Sequence, residues 1–384
     1  MKFFFFSVFI ISFSFAQTSG ITCWVENPIN FPRSSETISI NMGGVYQQHP
    51  NLRGKYIAVF EAKKEILSQL IDNDFDGQYD ELIFQSSFKP KETKEFQIRP
   101  SKQNKMYKQP LVDGRYVLPR EDFAWENDRI AFRVYGSVLA GNVDNGIDVW
   151  TKRVRYPIIE KWYAGEEQTP KIVYHEDHGE GADFFSVGKS LGAGSAGILW
   201  NGKLVQGGLF THYRVVANGP VRISFELYYT NWKLDTAKYL EIKRITLDAG
   251  EQLNEVEEQF ISNASTDSLT LVAGLVKRSH TTFKRSMDHR YMSLWGLTTS
   301  DSSNGFLGTA VIFPSGADGI AIEDTIHYLM SHAFDTKKKF TYYTGAAWTR
   351  MGDINSKKEW IRYLDEFVMR KNNPLKITFQ KKKY

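Results

Sequence analysis

The residue types best suited to chemistry gather early in residues 171–200. Two histidines and four acids occupy nine consecutive positions there, as His175, Glu176, Asp177, His178, Glu180 and Asp183. An imidazole gains or loses a proton near neutral pH, and a neighbouring carboxylate can orient it. A segment that only filled a core would not concentrate titratable groups in this way. The pattern predicts a functional site, with a solvated surface loop as the alternative.

The surroundings of this segment indicate how it is carried. The β-branched pair Ile172 and Val173 precedes it and indicates the end of a strand. Glycines then recur as Gly179, Gly181, Gly188, Gly192, Gly194 and Gly197. Glycine permits positive φ angles and close approach of the backbone to a ligand. A strand followed by a polar, glycine-rich loop is typical of a site on a rigid β scaffold.

A second candidate group is cationic and follows Trp150. Strand alternation would place Arg153 and Arg155 on one side and Lys152 on the other. Two guanidinium groups on one face suit a carboxylate or a sulfate, because the arginine fork binds such groups bidentately. Pairing with Asp148 or Glu160 in a surface ladder is an equally good interpretation of these arginines.

Two patterns could concern metals, but no cofactor is predicted. Residues 72–77 read Asp-Asn-Asp-Phe-Asp-Gly, as in calcium loops, yet the twelfth position of an EF-hand would be Ile83 instead of glutamate. A solvated hairpin turn is favoured over a structural calcium site helped by Asp80. A metal held by His175, Asp177 and His178 is the other alternative, although the spacing matches no established zinc signature.

The first residues and the composition narrow the class of protein. Residues 1–16 carry a lysine, an apolar run and small residues before Gln17, which predicts a secretory signal and a periplasmic or secreted protein without a membrane anchor. One cysteine, Cys23, cannot form an internal disulfide, so burial must hold the fold together. A net charge of +4 with scattered basic residues argues against a nucleic-acid partner.

The periodicity predicts an all-β protein. Alternating apolar positions recur at residues 212–216, 221–229 and 240–247, with a turn at 218–220. The helix predicted with most support covers residues 357–370, where Ser356 and Glu359 form a capping box. We expect one large antiparallel two-sheet supersandwich over residues 17–384, in which residues 17–130 form a semi-separate lead-in layer.

Several motifs together resemble a known family. They are residues 148–154 (DVWTKRV), 174–183 (YHEDHGEGAD) and 218–222 (NGPVR), with Trp348 and Trp360 near the end. The chain resembles, over nearly its mature length, an exported Bacteroidetes family of unknown function from polysaccharide-utilisation systems. Within that family it looks most like ulvan oligosaccharide dehydratases of marine flavobacteria. Residues 218–260 also resemble the galactose-mutarotase-type supersandwich.

This resemblance implies a reaction. Water would be lost across C4–C5 of a uronic acid at the non-reducing end of an oligosaccharide, leaving an unsaturated sugar. The C5 proton is weakly acidic, so the reaction needs a base, an acid for the departing hydroxyl, and a cation near the carboxylate. A polysaccharide lyase, a carbohydrate-binding protein and an epimerase are the alternatives. A glycoside hydrolase would need a defined pair of carboxylates, which the sequence does not single out.

The implied roles fall on four groups of residues. The acid and base are expected among His175 and His178, with Tyr213 or His212 as a partner across the cleft. The cations expected to hold the uronate carboxylate or a nearby sulfate are Lys152, Arg153 and Arg155. Glu180 and Asp183 are expected to orient the imidazoles. The expected stacking platforms for a sugar ring are Trp162 and Trp232.

Overall fold

The computed structural model describes residues 20–102, 110–262, 268–286, 288 and 290–380. Antiparallel strands dominate these residues and are arranged in several sheets, which confirms the predicted all-β, sandwich-like fold. The export signal predicted at residues 1–16 lies outside the described ranges. Among the described helices, none combines the length and the apolar character that crossing a bilayer would need.

Two small sheets with a core of their own bring the first hundred residues and the C-terminal strand together. Their elements are β1 (Ile21–Glu26), β2 (Arg33–Asn41), α1 (Met42–Gln48), β3 (Tyr56–Glu61), β4 (Lys64–Ile66), β5 (Ser68–Ile71), β6 (Glu81–Phe88), β7 (Thr93–Ser101) and β26 (Lys376–Phe379). The sheet orders are β26-β1-β7-β3-β4 and β2-β6-β5. Cys23 lies in this core, where burial raises the pKa of its thiol to about 12.

A middle sheet carries most of the residues around the candidate site. It has the order β12-β11-β10-β9-β8 and contains β8 (Val112–Val117), β9 (Asp122–Asn127), β10 (Ala131–Val134), β11 (Asp148–Lys152) and β12 (Gly181–Ala182). One face packs Phe123 and Trp125 onto the next sheet, with Phe123 and Phe225 stacked 4.0 Å apart. Helix α2 (Ile159–Glu167) covers the other face, because Trp162 and Tyr163 pack on Trp150.

The largest layer is a sandwich of two antiparallel sheets. The five-stranded sheet, in the order β14-β13-β19-β24-β23, consists of β13 (Ala193–Trp200), β14 (Lys203–Val205), β19 (Ser268–Val276), β23 (Ile320–Glu323) and β24 (His327–Asp335). The eight-stranded sheet, in the order β15-β16-β17-β18-β25-β22-β21-β20, consists of β15 (His212–Asn218), β16 (Arg222–Leu234), β17 (Ala237–Asp248), β18 (Leu253–Ser262), β20 (Thr281–Ser286), β21 (Tyr291–Leu297), β22 (Phe306–Ile312) and β25 (Phe340–Trp348).

The predicted C-terminal helix is confirmed as α3 (Lys357–Asn372). The Ser356 hydroxyl accepts a hydrogen bond from the Glu359 amide at 3.2 Å, as a helix cap should. Helices α1 and α2 also form and were not predicted. Helix α1 contains two glycines, although Asn41 caps its start, and α2 lacks a side-chain cap of its own.

A polar cluster lies inside the sandwich, where apolar residues are the rule. The side chains of Lys243, Glu241 and Glu258 are all fully buried. Lys243 Nζ lies 3.1 Å from Glu241 Oε1, 3.6 Å from Glu258 Oε1 and 3.1 Å from the hydroxyl of Ser195. Burial raises the pKa of Glu258 well above its usual range; Lys243 opposes this effect and Glu241 adds to it. Burial therefore favours the protonated form of the Glu258 carboxyl in the folded protein.

Candidate functional site

The His175 side chain is exposed to solvent, and its ring is held by contacts with Asp183. Its side chain is 57% exposed, and Nδ1 lies 3.0 Å from the backbone oxygen of Asp183 and 3.5 Å from Asp183 Oδ2. The Asp183 side chain is only 1% exposed. Because the described contacts of the ring are made by Nδ1, Nε2 is the nitrogen that a substrate could reach. The prediction that Asp183 orients an imidazole therefore agrees with the geometry around His175.

The carboxylate of Asp183 belongs to a buried ionic network on the middle sheet. Arg133 Nη2 donates to Asp183 Oδ2 at 2.8 Å and to Asp148 Oδ2 at 2.6 Å. Arg133 Nη1 donates to the Tyr174 hydroxyl at 3.1 Å, and the Tyr135 hydroxyl donates to Asp148 at 2.9 Å. The two strands explain the pairing, because Arg133 of β10 is the register partner of Asp148 of β11.

Charges in this network change the proton affinity of its members. Burial raises the pKa of Asp183 well above its usual range, Asp148 adds to the effect, and Arg133 opposes it. Burial alone would lower the pKa of Arg133, but Asp148 and Asp183 raise it well above its usual range. A carboxyl group of raised pKa beside an imidazole forms a pair that can hold and pass on a proton.

The site also contains Arg133, Asp148 and Tyr135, which were not predicted as its members. Arg133 and Asp148 lie in strands whose other residues are buried, and this was the available signal. A charged residue within a fully buried strand requires a partner, because an unpaired buried charge is very costly. That reasoning predicts a pair, although it does not predict that Asp183 joins it.

Of the three predicted cations after Trp150, Arg153 contacts the histidine loop, through Asp177 and Gly179. Arg153 Nη2 lies 3.2 Å from Asp177 Oδ1, and its Nε donates to the Gly179 oxygen at 3.0 Å. Arg350, which was not predicted, lies 3.7 Å from the other Asp177 oxygen. His178 is exposed, with Nε2 3.2 Å from the Val173 oxygen. Arg153 and the loop with both histidines therefore lie close together, as expected.

Lys152 does not fit its predicted role. Its side chain is fully buried, and Nζ binds the Glu126 carboxylate and also donates to the backbone oxygens of Asn127 and Tyr156, both at 2.9 Å. Glu126 Oε1 in turn accepts the amides of Ile158 and Ile159 at 2.7 and 2.9 Å, at the start of α2. Lys152 thus completes the buried support of a helix and cannot reach a sugar.

Three further predicted residues have structural partners. Arg155 lies 2.7 Å from Asp353, in a surface ion pair. Glu180 accepts hydrogen bonds from Lys161 at 2.7 Å, from the Trp162 indole at 3.2 Å and from the Tyr156 hydroxyl. Glu180 thus ties the histidine loop to α2 and contacts neither histidine in the described hydrogen bonds. The Trp162 ring stacks on Trp150 at 5.4 Å and is 7% exposed.

Trp232 is not a surface platform. It is 1% exposed, its indole nitrogen donates to Glu241, and its ring packs edge-on against Phe260 at 5.5 Å. The predicted stacking on a sugar therefore fails, because this tryptophan belongs to the core of the sandwich. The alternating sequence of this strand did not determine whether Trp232 faces the core or the solvent, because that depends on the register with the neighbouring strand.

His212 and Tyr213 line a hollow of about 800 Å³ at the edge of the eight-stranded sheet. The Tyr213 ring is 43% exposed and stacks on Tyr116 at 4.8 Å with an interplanar angle of 16°. Glu121 and Asn231 contribute polar groups to the same hollow. Neither His175 nor His178 is among its lining residues, so the expected arrangement across one cleft is not what the described residues form. The aromatic pair and polar rim suit a sugar ring.

The acidic turn at residues 72–77 is held by its own backbone. Oxygens of Asp72, Asp74 and Asp80 lie within 4.8 Å of one another. Asp72 accepts the amides of Phe75 and Gly77 at 2.7 and 2.9 Å, and Asp80 accepts the Asn73 amide at 2.6 Å. These bonds are the ones that aspartates make in turns, so they account for the acids without an ion.

Comparison with known proteins assigns the chain to a family. Residues 25–377 match a family described as a domain of unknown function, DUF4861. An uncharacterised protein, P7, of Formosa agariphila is 32% identical over 376 residues, which cover 93% of this chain and 92% of that protein. The chain belongs to this family. Membership confirms the predicted likeness to an exported family only in its coarser form, a family of unknown function.

Solved structures with a similar fold include carbohydrate enzymes. An α-mannosidase from Enterococcus faecalis has a TM-score of 0.52 at 9% identity, covering 94% of this chain and 46% of the mannosidase. A glycosyl hydrolase family 38 protein from the same species has a TM-score of 0.51 at 9% identity, covering 96% and 48%. At such low identity the likeness shows the fold alone. The chain of this family member spans slightly less than half of either structure.

Proposed function

We propose that the protein is a carbohydrate-active hydro-lyase that removes water across C4–C5 of the uronic acid at the non-reducing end of ulvan oligosaccharides. The observation that carries this proposal is the exposed His175 imidazole supported by buried Asp183 and Arg133. The likeness of motifs to ulvan dehydratases supports the substrate, and the carbohydrate enzymes among structures of similar fold are compatible with it. The apolar run at residues 4–16 supports export to the periplasm or the medium.

The chemistry assigns a role to each group. Nε2 of His175 takes the C5 proton or protonates the C4 hydroxyl, because it is the outward nitrogen of a ring that Asp183 fixes through Nδ1. Asp183 does not touch the sugar and acts as a positioning residue. His178, on the same loop, is the candidate for the complementary proton transfer. Arg153 lies beside this loop and contributes positive charge where an enolate-like dianion would form.

His332 provides a matched control for His175. Its Nδ1 lies 3.1 Å from Asp318 Oδ2, so it forms a comparable histidine–aspartate pair on β24. The Asp318 side chain is 54% exposed, however, and its described contacts include no arginine. A general loss caused by removing an imidazole from a pair would appear in both variants. A catalytic loss should appear in His175→Ala alone.

The test is to incubate the wild type, His175→Ala and His332→Ala with ulvan oligosaccharides that end in glucuronic acid. Ultraviolet absorbance reports the conjugated acid, and mass spectrometry reports the product. We expect loss of one water without chain shortening, and a rate at least about a hundredfold lower for His175→Ala only. Chain scission would instead establish a polysaccharide lyase. Binding with no product would leave a carbohydrate-binding protein and refute the proposed catalysis.

A further inference from the structure

Arg278 is a partly buried cation in an unusual setting. It follows β19, and its guanidinium lies 5.2 Å from the centre of the Phe185 ring. One nitrogen, Nη2, donates to the backbone oxygens of Leu297 at 3.2 Å and Thr298 at 2.6 Å. These contacts fix the plane of the guanidinium. The two hydrogen bonds use only one of the three guanidinium nitrogens.

No carboxylate of the described residues lies within ion-pair distance of Arg278. Three other arginines with little exposed surface each have at least two acidic partners: Arg133 has Asp122, Asp148 and Asp183, Arg222 has Glu81 and Asp248, and Arg370 has Glu36 and Glu251. Arg33 has one acidic partner, Glu36. Burial lowers the pKa of Arg278 to about 10, whereas the acids raise the pKa of those three arginines. Arg278 remains charged at neutral pH, so it is a partly desolvated cation that has no counter-ion among the described residues.

The remaining donors of Arg278 are available. Nε and Nη1 donate to none of the described residues, and neither is among the polar atoms sealed from solvent without a partner. A guanidinium offers a planar fork that matches a carboxylate or a sulfate through two parallel hydrogen bonds. A partly buried guanidinium whose Nε and Nη1 donate to none of the described residues can therefore receive an anionic group.

A three-residue segment connects Arg278 with the His175 site. Asp183 contacts His175, and the Phe184 ring lies 6.2 Å from the Trp348 ring. The Arg278 guanidinium packs over the Phe185 ring. Two residues span at most about 7 Å of extended chain, so the backbone positions that make these two contacts lie close together.

The loop at residues 298–305 contacts both Arg278 and Trp348. Trp348 Nε1 donates to Thr298 Oγ1 at 3.1 Å and to the Asn304 oxygen at 2.7 Å, while Arg278 binds the Thr298 oxygen. Arg350 lies 5.9 Å from the Trp348 ring and binds the Ser303 oxygen at 3.0 Å. Both arginines are thus anchored to one loop.

We propose that Arg278 is the specificity residue for an acidic group, carboxylate or sulfate, on the oligosaccharide that reacts at His175. The inference rests on the proposed function for the identity of the ligand as a sugar. It gives the guanidinium the task that the sequence analysis assigned to Lys152. The bound anion supplies the counter-charge that the fold omits.

The test measures binding by calorimetry with Arg278→Gln and, as a control for loss of charge, Arg362→Gln. Arg362 lies on α3 with its side chain 68% exposed, at 4.0 Å from Glu366. The probes are four oligosaccharides that end in glucuronic acid: sulfated or unsulfated, each in native and carboxyl-reduced form. We expect Arg278→Gln to bind the matching acidic probe at least about tenfold more weakly, and Arg362→Gln to bind like the wild type.

Comparison of the probes identifies the recognised group. If the group is the carboxylate, its reduction should weaken wild-type binding and abolish the difference between wild type and Arg278→Gln. If it is the sulfate, desulfation should do so instead. An equal penalty on every probe, or none, would overturn the proposal. Thermal unfolding provides a second readout, because Arg278→Gln loses the hydrogen bonds to Leu297 and Thr298 and must be shown to be folded at the temperature of the titration.

The outcome is separable from that of the proposed function. Arg278-dependent binding of acidic sugar without any unsaturated product would refute the hydro-lyase and leave the anion site standing. Formation of product at an unchanged rate and affinity in Arg278→Gln would do the reverse.

Discussion

The buried cluster around Lys243 gives a prediction that does not depend on the activity. Replacing Lys243 by methionine removes the charge and leaves an unbranched side chain that is one atom shorter. The change leaves the carboxyl groups of Glu241 and Glu258 fully buried without a cation. Removing one member of a buried ion pair typically costs about 3–5 kcal/mol of stability. Because domains are commonly stable by about 5–15 kcal/mol, this is a large fraction of the total.

The pH dependence has a definite sign. The pKa of Glu258 is raised in the folded state, so folded protein holds a proton that the unfolded chain releases once the pH exceeds the ordinary glutamate pKa of 4.5. Stability therefore falls as the pH rises through the window between that value and the folded pKa. Removing Lys243 removes the charge that opposes the upward shift, so the loss in Lys243→Met should grow from pH 5 to pH 8. Glu258→Gln should flatten the dependence.

The assay is urea unfolding followed by tryptophan fluorescence at several pH values. Lys339→Met is the matched control, because Lys339 makes a 2.6 Å ion pair with Glu257 but is 48% exposed, and such pairs contribute about 0–1 kcal/mol. A Lys243→Met protein that unfolds at the wild-type urea concentration, with the wild-type pH profile, would refute the view that these charges depend on one another.

Three other outcomes are expected. Asp183→Asn should lower turnover of the proposed substrate at least about a hundredfold and alter its pH–rate profile, with a larger effect than Asp318→Asn. Ser356→Ala should cost about 1 kcal/mol in urea unfolding through loss of the α3 cap; no loss would mean that the cap contributes nothing. Calcium or EDTA should leave the melting temperature unchanged, since Asp72 already binds turn amides; a rise with calcium would contradict this.

Local signals explain what could be predicted. Strand β17 alternates between buried and partly exposed positions, and the 218–220 turn separates β15 from β16, as the sequence indicated. The alternation predicted for residues 221–229 is not seen in β16, where residues 223–227 are all buried. Five glycines near the histidines do have positive φ: Gly179, Gly181, Gly188, Gly192 and Gly194. Gly194 shows the constraint, because an added Cβ would lie 1.8 Å from the Thr344 hydroxyl oxygen. These features depend on a residue and its near neighbours, so the sequence specifies them.

Long-range pairing explains what could not be predicted. Lys152 was assigned to a ligand because its partner, Glu126, lies 26 positions away in another strand. Trp232 faces inward because the register of β16 against β17 decides its face, and a bulge shifts that register between Tyr229 and Trp232. Arg278 gave no sequence signal, since what distinguishes it is the lack of a described acidic partner. A missing partner is visible only once the fold has brought the neighbours together.

The buried ion pairs also determine how mutations near His175 should be interpreted. Lys152 holds Glu126, Glu126 caps the start of α2, and Glu180 ties the histidine loop to α2 through Trp162. A Lys152 variant would therefore lose activity through displacement of that loop, although Lys152 cannot contact a sugar. Such a loss must be accompanied by lower stability, because an uncompensated Glu126 remains buried. A loss of activity at unchanged stability is expected only when the substituted side chain is exposed to solvent, as that of His175 is.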